Sequence, residues 1–106
     1  MYQIIKRTLE SFRRICEELG NSQIKHIVLD VLKPHDPPLP EFTSFLGELE
    51  GVSMVDVSLI EMDEKTMSLK VVFKGTAINF EELREHMASQ GAVIHSVDQV
   101  IVEKKT

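Results

Sequence analysis

The chain contains a single cysteine, Cys16, which excludes an intrachain disulfide and leaves a thiolate metal cluster within one chain short of ligands. A reducing cytoplasm is the compartment that fits. No apolar run approaches the roughly 20 residues that span a bilayer. The opening MYQIIKRTLESFRR places charges where a signal peptide needs an uninterrupted apolar stretch. Basic residues are also scarce: 12 Lys and Arg stand against 17 Asp and Glu, a formal net charge of -5. That balance argues against nucleic acid, whose binding is built on a basic footprint that releases counterions. Lys6, Arg7, Arg13 and Arg14 are diluted by Glu10, Glu17 and Glu18, so the first segment reads as a solvated face and a membrane surface is not expected as partner. The 5 glycines, Gly20, Gly47, Gly51, Gly75 and Gly91, are scattered and do not form a phosphate cradle.

What remains is a chain of 106 residues, 42% apolar and 27% charged, the size and balance of one compact soluble domain. Residues 1–22 and 23–106 read as two parts. In the first, Tyr2, Ile5, Leu9, Phe12, Cys16 and Leu19 recur at spacings of three and four before Gly20 and Asn21, the pattern of an amphipathic helix with a narrow apolar seam. From there IKHIVLDVLK alternates Ile27, Leu29 and Val31 against His26, Val28, Asp30 and Leu32, the period of a strand. Prolines break it. A helix of about three turns then runs from Leu39 and Pro40 through Phe42, Leu46 and Leu49 to a stop at Gly51. Two alternating segments, VSMVDVSLIEM and MSLKVVFKG, flank DEKT and form a hairpin. INFEELREHMASQG opens with Asn79 as N-cap, with Glu82 as its reciprocal partner and Gly91 as the stop. AVIHSVDQVIVEKK closes the chain as a strand.

After the leader the order strand, helix, strand, strand, helix, strand spells an α+β, ferredoxin-like βαββαβ two-layer sandwich with an extra N-terminal helix. Right-handed crossovers then give the strand order four, one, three, two, with both helices on one face. On the open face the alternation puts Val28, Leu32, Ile60, Met62 and Val72 among Asp30, Asp56, Ser58, Lys70 and Lys74. So apolar a face calls for a cover, either the leader or another copy of the chain.

The segments LDVLKPHDP, LEGVSMVDVSLIEMDEKT and GAVIHSVDQVIV together resemble a family of small, mainly archaeal proteins, domain-of-unknown-function family 211. Asp30-Val31-Leu32-Lys33-Pro34-His35 and Ile94-His95-Ser96-Val97-Asp98 carry the likeness most specifically, and it covers Ile24 to about Glu103. The resemblance implies a ferredoxin-like fold and ring-like homo-oligomers associated with divalent cations, with no established activity. Met1 to Ser22 has no counterpart in that pattern.

Antiparallel first and last strands bring Asp30 and His35 beside His95 and Asp98. Two carboxylates with imidazoles suit a divalent cation: oxygen-rich sets favour calcium or magnesium, and a larger histidine share favours zinc or nickel. Against this, the aspartates can accept hydrogen bonds from backbone amides, Lys33 or Ser96, and His35 can cap the proline loop. Strict alternation also puts His95 on the face opposite Asp30 and Asp98. Glu61, Asp63 and Glu64 in the hairpin lack the spacing and glycine of a calcium loop, but Glu61 or Asp63 can lend a ligand across a subunit boundary. His26 and His86 have no acidic or histidine partner at useful spacing. Cys16 lies on an apolar seam with no nearby histidine, so no nucleophile arrangement appears. Met54, Met62 and Met67 read as packing. The expected function is therefore a non-enzymatic, self-assembling domain holding a divalent cation or small ligand. The alternative is a small metal-dependent enzyme in which the Asp/His corner activates a metal-bound water.

Overall fold

The computed structural model describes residues 22–104; the expected leader helix lies outside them. The elements are β1 (Ser22–Pro34), α1 (Leu39–Leu46), β2 (Val52–Met62), β3 (Thr66–Gly75), α2 (Phe80–Ser89) and β4 (Val93–Lys104). They form an α+β fold whose four-stranded sheet has the order β2-β3-β1-β4, with antiparallel neighbours throughout. This is the expected order read from the other edge.

The period of two decides what is inside. Ile27, Leu29 and Val31 of β1 and Met67, Leu69, Val71 and Phe73 of β3 are buried on one face against Phe42, Leu46, Leu83 and Met87 of the helices. The two central strands thus carry the core. The edge strand β2 contributes less: Val55 and Val57 are half-buried, and Leu59 is 45% exposed. A register irregularity between Leu59 and Glu61 leaves Ile60 as an extra residue and pairs Met62 with Met67. Met62 therefore leaves the open face to which strict alternation assigns it.

Helix α1 is shorter than its apolar spacing predicts, with 8 residues ending at Gly47. Glycine is a poor helix former. Beyond it the chain tightens into turns, with Leu49 N–H donating to Leu46 O at 3.3 Å and Val52 N–H to Leu49 O at 3.3 Å. Leu49 stays buried at 7% exposure, so its apolar period reports packing rather than helix. Gly51, at φ +83°, turns the chain into β2, and a Cβ on Gly75 would stand 1.8 Å from the Gly51 carbonyl oxygen. Both positions exclude a side chain.

Helix α2 begins at the expected cap, Asn79 Oδ1 accepting the Glu82 N–H at 3.2 Å. It ends with Gly91 at φ +79°, Gly91 N–H donating to Ala88 O at 3.0 Å and Ala92 N–H to Met87 O at 2.9 Å. This paired pattern is the Schellman termination. The helices meet where Phe45 stacks on His86, with ring centroids 4.8 Å apart.

Candidate functional site

On the open face the sheet pairs residues in rows. Asp30 stands between its cross-strand partners Lys70 and Ser96, and Val28 between Val72 and Gln99. An aspartate in an apolar strand is tolerated there for two reasons. Its side chain is 41% exposed, so most of the desolvation penalty is avoided, and opposite charges across a strand pair attract. Val28, in the next row, is buried at 8% exposure. The face is mixed rather than uniformly apolar.

Strand β4 does not run regularly beside β1. Its register shifts between Val28 and Leu29, leaving Asp98 as an extra residue, and again between Asp30 and Val31, leaving His95 as another. A β-bulge re-aims the side chain it carries. Accordingly His95 Nδ1 lies 3.3 Å from Asp30 Oδ2, on the face that strict alternation denies it. Ser96 Oγ donates to Asp98 Oδ1 at 2.8 Å. So the two β4 residues that the sequence marks for a cation corner, His95 and Asp98, are the ones that the bulges release from the ladder. The His95 side chain is 76% exposed.

His35 belongs elsewhere. Its Nε2 is 2.8 Å from the Asp63 carbonyl oxygen, which ties the end of β1 to the β2–β3 hairpin. The expected four-residue corner is thus two arrangements: Asp30 with His95 near Ser96 and Asp98, and His35 with the backbone of Asp63. Glu61 and Asp63 are exposed, and Glu61 pairs with Ser68 on the open face. Among the described residues no group of three or more His, Cys, Asp or Glu side chains is placed to hold a metal ion. A cation at Asp30 and His95 would need further ligands from water or from another molecule. The two concave places described lie apart from this pair, one lined by Asp63 to Thr66 and one by Pro40, Glu41, Ser44, Phe45, Glu48 and Gln90.

One polar residue was missed in its role. Lys33 is fully buried. Its ammonium donates to the carbonyls of Pro34, at 2.8 Å, and of His35 and Pro37, and it lies 5.4 Å from the Phe42 ring centroid. It serves the proline loop and not the aspartates. The signal was present in parity, since Lys33 follows Ile27, Leu29 and Val31 on the inward face. Burial pushes its pKa below the usual lysine value of 10.5, while the nearby Asp36 carboxylate offsets part of that.

A four-stranded antiparallel sheet of this order with two helices on one face makes the described chain a ferredoxin-like α+β domain. Its family follows from sequence: the model of DUF211, described as Uncharacterized ArCR, matches residues 25–106, and the chain belongs to that family. It is also 38% identical over 82 residues to an uncharacterized protein, MJ0319, of Methanocaldococcus jannaschii, an alignment covering 77% of this chain and 84% of that relative. Among the described residues no helix is long and apolar enough to cross a membrane.

Proposed function

We propose that this chain is a non-enzymatic, cytoplasmic, self-assembling domain that holds a divalent cation, calcium or magnesium, or a small ligand at a boundary between copies of itself. The observation that carries this reading is the bulged His95 set 3.3 Å from Asp30 on a solvent-facing sheet surface. A carboxylate and an imidazole make a partial ligand set, and a second copy is a natural source of the remaining groups, Glu61 or Asp63 among them. With a net charge of -5, the chain has neither nucleic acid nor an anionic membrane as its partner.

Calorimetry and thermal denaturation of the full chain with calcium, magnesium and zinc test the cation reading. Calcium or magnesium should raise the melting temperature by mass action. Asp30→Asn and His95→Ala should each abolish the rise while leaving the metal-free melting temperature nearly unchanged, since an exposed pair contributes only about 0–1 kcal/mol. Absence of binding at millimolar cation, or an unaltered response in both variants, would overturn it. A response to zinc alone would shift the assignment to a histidine-dominated site.

A further inference from the structure

The segment Pro34–Pro40 holds all 4 prolines of the chain. Proline has no N–H to donate, so these seven residues carry seven backbone carbonyls but only three N–H groups, those of His35, Asp36 and Leu39. A carbonyl shielded from water needs a donor, and the segment has too few of its own. The Pro38 carbonyl takes the Phe42 N–H at 3.0 Å, and the Leu39 carbonyl takes the Thr43 hydroxyl at 2.8 Å. The carbonyls of Pro34, His35 and Pro37 converge instead on one atom, Lys33 Nζ. An ammonium has three N–H donors, so donors and acceptors match in number. The buried Phe42 ring lies against the same atom, its centroid 5.4 Å from Nζ, and the Asp36 carboxylate adds negative charge nearby. Converging carbonyls, an aromatic face and a carboxylate are the groups that hold a cation. The walls are held from outside the loop. Pro34 packs on the end of α2, where a Cβ on Gly91 would stand 3.2 Å from Pro34 Cγ, and His35 Nε2 is 2.8 Å from the Asp63 carbonyl oxygen on the hairpin.

We propose that the Pro34–Pro37 turn is an ammonium-binding cage which the chain fills from within, and that the cage emptied by Lys33→Ala takes up a free primary alkylammonium ion from solution. The chemical class follows from the acceptors. Three carbonyls around one nitrogen select a cation with three N–H donors, and charge-assisted bonds of this kind are the strong ones. A quaternary ammonium of the same charge has no N–H to give. The substitution removes Cγ, Cδ, Cε and Nζ, which are the heavy atoms of n-propylammonium. This site is separate from the Asp30 and His95 pair, since Lys33 faces the core and Asp30 the open side of the sheet.

Thermal denaturation of the full chain tests it. Lys33→Ala should melt below wild type, and n-propylammonium chloride should recover most of the lost melting temperature in a saturable way, by mass action on the folded state. Tetramethylammonium chloride at the same ionic strength should not. Neither wild type, whose cage is full, nor Lys33→Met, whose longer side chain occupies the space, should distinguish the two salts. Equal effects of the two salts on Lys33→Ala, or an equal propylammonium response in Lys33→Met, would overturn the proposal. Should Lys33→Ala fail to fold, nitrogen-15 spectra of wild type at neutral pH decide. A caged Lys33 ammonium should give a signal that exchanges with water slowly and is absent in Lys33→Met. Exchange as fast as that of the exposed Lys65 would show that no cage exists.

Discussion

Asp30 and Lys33 lie three positions apart on β1 and meet opposite fates, because the pleat turns one toward water and the other into the core. Asp30 keeps solvent, Lys70 and His95 around it, whereas Lys33 is fully buried and donates its hydrogen bonds to carbonyls of the proline loop. Lys33→Met keeps the apolar stem but strands those carbonyls. It should cost about 1–3 kcal/mol, the penalty for buried groups left without a partner, and lower the melting temperature by about 4–8 °C per kcal/mol for a domain of this size. The pH dependence has a definite sign. Because the folded-state pKa of Lys33 lies below 10.5, the unfolded chain binds more protons between the two values. The cost of the buried charge is therefore fully present below the folded-state pKa and is relieved as pH rises toward 10.5. Denaturation across that alkaline window should show a rise in wild type relative to Lys33→Met; parallel curves for the two proteins would refute it.

At the scale of elements, local chemistry predicted ends better than middles. The cap at Asn79 and the stop at Gly91 were legible because each depends on a few adjacent residues. Asn79→Ala should cost about 1 kcal/mol, read as a lower melting temperature, and Asn79→Ser should recover most of it; an unchanged melting temperature in Asn79→Ala would show the cap to be dispensable. The middles of the edge strands were less legible, since alternation assumes an unbroken ladder. The extra residues Ile60, His95 and Asp98 exist only relative to a partner strand, and nothing in their own neighbourhood in the sequence reports them. The same limit separated His35 from Asp30 and joined His95 to it. Leu49 misled differently: its period is helical, but a tight turn delivers it to the same core.

At the scale of the whole fold, the described residues form a well-filled core on the helix side and leave Leu32, Met54 and Ile101 exposed on the other face of the sheet. Topology was legible because the order of elements leaves few right-handed, uncrossed arrangements. A truncation beginning at Gln23 should lower the melting temperature, the solubility or the oligomer mass, as a seam of Tyr2, Ile5, Leu9, Phe12, Cys16 and Leu19 has no role in a free-hanging segment. Equality in all three would remove the leader from the account. The central claim, self-assembly with a divalent cation, is tested most directly by native mass spectrometry of the full chain with calcium and then with chelator. The account predicts a multiple of the 12.1 kDa chain carrying bound cation, with mass or stability lost on chelation. A bare 12.1 kDa species under both conditions would contradict it.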